Sequence, residues 1–188
     1  STEFLEYLKD FKFTGDVWSV PEGTIVFPDE PLIRVAAPII EAQLIETFLL
    51  NTVNLQTMLA TKASRAVHSA RGKPVIEFGL RRTQGTDAGM KAARCSYSVG
   101  AEGTSNVLAG MRYGIPVFGT MAHSYIMSFD HEIDAFRNFT KAFPKNSTLL
   151  IDTYDNITGA RNAAFVAKQM EKEGLRLNAV RLDSGDLL

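Results

Sequence analysis

The chain has 188 residues, 45% of them apolar and 22% charged, a balance that supports a folded core and excludes a disordered segment. Twenty Lys and Arg against 21 Asp and Glu leave a formal charge of −1, so no global field draws the chain to nucleic acid or an anionic membrane, and any anion site must be local. One cysteine, Cys95, excludes an internal disulfide, three histidines leave little for a zinc site, and no apolar run reaches the roughly 18 residues of a membrane span.

With a start, "STEFLEYLKDFKF", that carries acidic residues throughout and does not read as a signal peptide, these features predict a soluble cytoplasmic protein. Residues 1–37 hold short β-rich pieces, "TGDVWSV", "GTIVF" and "PLIRVAA", divided by Gly, Pro and Asp, which predicts part of a small antiparallel unit with Trp18 as packing. Residues 38–73 form a connecting helical region, since Ile40, Leu44, Ile45, Phe48, Leu49, Val53, Leu55 and Leu59 recur at three- and four-residue steps, with a break expected near Asn54.

From residue 74 to 188 apolar β-type runs alternate with helical segments: "VIEFGL", then "DAGMKAARCSYS", "SNVLAGMRYG", "IPVFG", "HEIDAFRNFTKAF", "STLLID", "NITGARNAAFVAKQMEKEG" and "NAVRLD". This alternation is the mark of an α/β fold with a parallel sheet, open or closed into a barrel. In such folds reactive groups gather where strands end, because the following loops share one rim. The strand exits carry Glu77, Arg81 and Arg82, then His123, then Asp152 and Asp155, then Arg181 and Asp183. Arginines, carboxylates and one histidine converging on a rim suit a phosphorylated, polyanionic ligand.

Each constellation has two readings. Arg81 and Arg82 are either a solvated pair or an arginine fork for phosphate or carboxylate. In "AEGTSNVLAG", Ser105 is placed as a helix N-cap that either closes the helix or also offers N–H groups to an anion. His123 is either an ordinary loop histidine or, if strands 115–118 and 148–152 are neighbours, a nucleophile whose tautomer Asp152 fixes by accepting from one ring nitrogen. His131 and His68 are given no role. Arg181 and Asp183 lie on the same side of an extended strand as an ion pair, with Ser184 and Gly185 beyond them where a backbone can approach phosphate. Asp152, Asp155 and Asp183 are alternatively a carboxylate set for Mg2+ or ribose hydroxyls.

Five segments in order, "EFGLRRTQG" (77–85), "GTSNVLAG" (103–110), "GTMAHSYIMSFDHEIDAF" (119–136), "LLIDTYDNITGARNA" (149–163) and "VRLDSGDL" (180–187), closely resemble nicotinate phosphoribosyltransferase, as does the stretch from "TGDVWSV" to "ETFLLN" before them. The resemblance implies an irregular parallel β/α barrel, here partial, with a small β-rich N-terminal unit. It implies an enzyme that joins nicotinate to 5-phosphoribosyl 1-pyrophosphate in NAD biosynthesis, coupled to ATP through a phosphohistidine, with Mg2+ expected and a homodimer as the assembly. By the same match His123 is the phosphorylated histidine, Asp152 orients it, and Asp183 contacts ribose or, with Asp152, the metal. Phe78 stacks on the pyridine ring, Arg81 and Arg181 hold phosphate and substrate carboxylate, and Thr104, Ser105 and Ser184 complete the substrate-binding set.

The nicotinamide-using relatives carry an aspartate at the position of Ser105, where a carboxylate accepts from an amide; a serine there does not repel a carboxylate, which favours nicotinate. The "AHS" motif argues against the quinolinate-using relatives. The family pattern also extends beyond both ends, with further barrel strands and a glycine-rich phosphate segment after "RLDSGDL". The 188 residues therefore read as a piece of the enzyme that a missing C-terminal piece completes; the rival from another class is a non-catalytic barrel fragment acting only as an assembly partner.

Overall fold

A computed structural model describes residues 1–185 of the chain, which form two compact units, Ser1–Phe118 and Gly119 onward. The first unit opens with a helix that the β-rich reading did not contain. Helix α1 (Thr2–Lys9) is capped by the Ser1 hydroxyl, which accepts from Phe4 N, and carries a Glu6 to Lys9 ion pair on its exposed side. The expected antiparallel pieces reduce to one pair, β1 (Asp16–Ser19) and β2 (Ile33–Ala36), in register Val17 with Val35 and Trp18 with Arg34. "GTIVF" joins no ladder: Pro21, Pro28 and Pro31 surround it, and Glu30 accepts from Phe27 N to close a turn instead.

Helix α2 (Ile39–Ser69) runs 31 residues without the break expected near Asn54. Nothing in that stretch removes a backbone donor, so the ladder continues through it, and Pro38 stands just before the first turn, where a missing N–H costs nothing. Glu41, buried in that first turn, accepts from both the backbone N–H and the hydroxyl of Thr14, at 2.7 and 2.9 Å, and so ties the approach to β1 onto the helix.

Two parallel strand segments follow, β3 (Ile76–Glu77) and β4 (Gly103–Thr104), with Ile76 opposite Gly103 and Glu77 opposite Thr104. The crossover between them is α3 (Thr86–Ser98), whose Ala88, Gly89, Ala92 and Ala93 are buried small residues that permit close packing. Helix α4 (Val107–Tyr113) leaves β4 and returns the chain to Val117, which bridges in parallel to Thr104. Gly103 is required there, since a Cβ would stand 2.5 Å from the Phe118 ring.

The second unit is a βαβ arrangement. Strand β5 (Thr148–Leu150) pairs in parallel with β6 (Ala179–Arg181), Leu150 opposite Arg181, and α7 (Asn156–Lys172) makes the crossover. Before them come the short α5 (His123–Met127) and α6 (Glu132–Ala142). Phe136, Ile126, Leu149, Leu150 and Val166 are fully buried between these helices and the strands, each burial contributing roughly 2–3 kcal/mol. The architecture is thus mixed α/β with parallel pairs and helical crossovers. Among the described residues the strands, two to four residues long, stand in two-stranded pairs, with the bridge of Val117 to Thr104 on the other side of β4.

Candidate active site

In the second unit the exits of two neighbouring parallel strands meet. Asp152 leaves β5, and its Oδ2 accepts from Asp183 N at 2.6 Å and from the Ser184 hydroxyl at 2.7 Å, both just past β6. Its side chain is 1% exposed, and Oδ1 is buried with no hydrogen-bond partner among the described residues. Burial on its own pushes the Asp152 carboxyl up, but the Ser184 hydroxyl and the surrounding backbone N–H groups outweigh it and hold the group below the usual carboxylate range. The site therefore stores a buried negative charge with one oxygen left for another group.

His123 faces that oxygen. The histidine is the first residue of α5, following Ala122 in extended conformation, so it opens a helical turn where the sequence suggested a loop. Its Nδ1 lies 3.2 Å from Thr153 Oγ1, and its Nε2 lies 3.6 Å from Asp183 Oδ2 and 3.8 Å from Asp152 Oδ1. The expected direct hydrogen bond from the His123 ring to Asp152 is not made: 3.8 Å is ion-pair range, because the carboxylate is already held on its other oxygen by the β6 exit. Two carboxylate oxygens around Nε2 favour a proton on that nitrogen and leave Nδ1 to the Thr153 hydroxyl. Arg181 completes the cluster, donating from Nη1 to Thr120 Oγ1 and from Nη2 to Asp183 Oδ1, each at 2.5 Å.

Asp155 does not belong to this cluster. Its carboxylate accepts from Thr158 N at 2.7 Å as the N-cap of α7, and the Thr158 hydroxyl and N–H together hold it below the usual carboxylate range, so the three-carboxylate set reduces to Asp152 and Asp183. In the first unit Val117 bridges in parallel to Thr104, and in the second β5 pairs with β6. Asp186 and Leu187, the end of the "VRLDSGDL" stretch, and Leu188 after them lie outside the described residues.

The first unit carries a second cluster at its own strand exits. Phe78 and the 3-10 turn Leu80–Arg82 follow β3, with the Phe78 ring 42% exposed and Arg81 and Arg82 at the surface. Ser105 follows β4 and donates its N–H to the Glu77 carbonyl. Asn106, not Ser105, is the N-cap of α4: its side chain accepts from Ala109 N at 3.1 Å. Thr104 is fully buried, with its hydroxyl donated to Glu77, which makes it an internal strut and keeps it from solvent. Thr153 and Thr120 were not singled out in the sequence; the only signal was their place beside Asp152 and three residues before His123.

Comparison with known proteins assigns the chain to one family. Residues 1–54 match the nicotinate phosphoribosyltransferase N-terminal domain, and residues 74–188 match the nicotinate phosphoribosyltransferase family. The chain belongs to the nicotinate phosphoribosyltransferase family. It is 54% identical, over its whole length, to nicotinate phosphoribosyltransferase pncB2 of Mycobacterium tuberculosis, of which it covers 40%. Over 97% of its length it is 46% identical to the Bacillus subtilis nicotinate phosphoribosyltransferase, of which it covers 43%. The crystal structure of human nicotinic acid phosphoribosyltransferase superposes on the whole chain with a TM-score of 0.92 at 33% identity, 47% of that chain being covered. The chain thus spans under half the length of these nicotinate phosphoribosyltransferases.

Proposed function

We propose that the protein containing this chain is a cytoplasmic nicotinate phosphoribosyltransferase of NAD biosynthesis, acting as a homodimer. It transfers the phosphoribosyl group of 5-phosphoribosyl 1-pyrophosphate to nicotinate. The pyridine nitrogen forms a bond to C1 of ribose as the C1–O bond to pyrophosphate breaks, and pyrophosphate leaves with the bonding pair, giving nicotinate mononucleotide. The observation that carries this reading is His123 set against Asp152, Asp183 and Thr153 within a chain of this family.

His123 supplies the ATP coupling. An imidazole nitrogen attacks the γ-phosphorus of ATP, the bond to ADP breaks, and water later hydrolyses the phosphoimidazole. The two carboxylates near Nε2 stabilise the positive charge that the ring gains as it bonds to phosphorus. Arg181, fixed by Thr120 and Asp183, places a guanidinium beside the incoming anions. In the first unit Phe78 and Arg81 receive the pyridine carboxylate ring, and Ser105, a neutral residue, leaves that carboxylate unopposed.

Mg2+ fits Asp152 and Asp183. The buried, unpartnered Asp152 Oδ1 and Asp183 Oδ2 both lie within 4 Å of His123 Nε2. Mg2+ commonly takes only one or two carboxylates, with water and phosphate oxygens as its other ligands. The described residues accordingly show no group of three or more His, Cys, Asp or Glu side chains to hold a metal. Bound there, Mg2+ would neutralise charge on the pyrophosphate leaving group.

Turnover tests the reading directly. The protein in its full natural length is expected to convert nicotinate with phosphoribosyl pyrophosphate and to prefer it over nicotinamide; the opposite preference removes the role given to Ser105. In His123→Ala, ATP hydrolysis and its effect on product yield should vanish while some uncoupled transfer persists. Acid-labile phosphate from labelled ATP appearing on the His123→Ala protein would sink the phosphohistidine assignment.

A further inference from the structure

In the first unit Glu77 has an arrangement that the reaction above does not use. The last residue of β3, it divides its two carboxylate oxygens between the two loops that carry Phe78 and Ser105. Oε1 accepts the backbone N–H of Gly79, inside the loop that begins at Phe78. Oε2 accepts the Thr104 hydroxyl at 2.6 Å, one residue before Ser105, and the Glu77 backbone carbonyl accepts Ser105 N at 2.9 Å. The strut continues inward: the Thr104 hydroxyl oxygen accepts from Asn106 N at 3.0 Å, and Asn106 in turn caps α4. Gly79 permits the approach, since a Cβ there would stand 2.9 Å from Glu77 Oε1 and push the carboxylate away.

We propose that Glu77 is a positioning residue for pyridine recognition, a carboxylate strut that sets the separation of Phe78 and Ser105 by hydrogen-bonding both of their loops; this rests on the reading of those residues as the nicotinate-binding pair. The chemistry suits the task. Strand β3 is two residues long and β4 is two, so the ladder between them is short and the Glu77 side chain adds bonds beyond it. A carboxylate accepts without donating, and hydrogen bonds to an ionised acceptor are roughly twice as strong as neutral ones. Its charge is also occupied by internal donors, which matters beside an anionic substrate. Glu77 does not touch the reacting atoms in this scheme; it acts through Phe78 and Ser105.

The experiment uses the protein in its full natural length, varying nicotinate and phosphoribosyl pyrophosphate separately. Thr104→Val and Glu77→Ala each should raise KM for nicotinate about tenfold, with KM for phosphoribosyl pyrophosphate and kcat within about threefold of the unmodified enzyme. Thr104→Ser, which keeps the hydroxyl, should recover most of the loss. Because both changes break one strut, the double variant should lose no more than Glu77→Ala alone. A nicotinate KM that stays put, or rises no more than that for phosphoribosyl pyrophosphate while thermal stability falls, overturns the proposal and leaves the strut purely structural. If the unmodified enzyme does not use nicotinate at all, the functional reading fails instead. The strut is then judged by hydrogen exchange at the Gly79 and Ser105 amides, which Thr104→Val must accelerate for the loops to be tied as proposed.

Discussion

Gly159 to alanine sets two physical effects of opposite sign against each other. Gly159 lies in the first turn of α7, where alanine is better than glycine by about 1 kcal/mol on helix propensity. In the folded chain, however, an added Cβ would stand 2.9 Å from the carbonyl carbon of Ile151 and 3.1 Å from its Cα, with the carbonyl oxygen nearer still. Carbon contacts are comfortable near ~3.5–4.0 Å, so α7 and the end of β5 must part by roughly 0.6 Å or more. The obstacle is backbone, which cannot rotate aside, so the overpacking cost of about 1–3 kcal/mol should exceed the propensity gain. Because Ile151 precedes Asp152, the displacement also moves the carboxylate opposite His123. Thermal unfolding of Gly159→Ala is expected to show a Tm several degrees lower, with ATP hydrolysis reduced more than phosphoribosyl pyrophosphate binding. A Tm that rises would refute the reasoning, since propensity would then have won and the close approach of α7 to β5 would have no energetic weight.

Glu132 gives a pH-dependent prediction. The residue is 8% exposed, one carboxylate oxygen has no hydrogen-bond partner among the described residues, and burial pushes the carboxyl up against the opposing bond from Asn162. A carboxylate raised in the folded state binds its proton more tightly there than in the unfolded chain. The contribution of Glu132 to stability is therefore greatest below the ordinary glutamate value of about 4.3, and falls as pH rises from there through the raised folded-state value. Glu132→Gln, which can still accept from Asn162, should flatten the Tm profile across that window; an unchanged slope would assign the dependence to another group. Asp155→Ala should remove the α7 cap, read as a lower Tm, while nucleotide yield per ATP persists; a lost yield would return Asp155 to the candidate active cluster.

Chain order made much of this legible and pairing made much of it opaque. The alternation of "STLLID", "NITGARNAAF" and "NAVRLD" is read correctly as strand, helix, strand because both runs are apolar and the helix carries its own cap at Asp155. The same capping rule misplaced α4 by one residue, since Ser105 and Asn106 are both good caps and only the Glu77 to Thr104 strut decides that the strand ends where Asn106 turns in. "GTIVF" has ideal strand composition and still forms no strand, because β propensity measures a fit to a neighbour and the surrounding prolines deny it one. Helix α1 escaped the reading because eight residues with no buried side chain leave only a cap and an amphipathic rhythm as signals.

The candidate active cluster follows from one property of a parallel pair. In β5 and β6 the carboxyl ends lie side by side, so the residue after one strand can accept from the backbone after the other, and Asp152 does this with Asp183 N. That bond draws the second aspartate toward the first and fixes two carboxylates near a single imidazole nitrogen, an arrangement that like charges would otherwise oppose. The Ser184 hydroxyl and the Arg181 guanidinium offset the repulsion from either side, one on each aspartate. The short segment "RLDS" thus furnishes both the second carboxylate and the donors that allow it to sit there, which is why its residues act as one unit and why changing any of them should be read at His123 first.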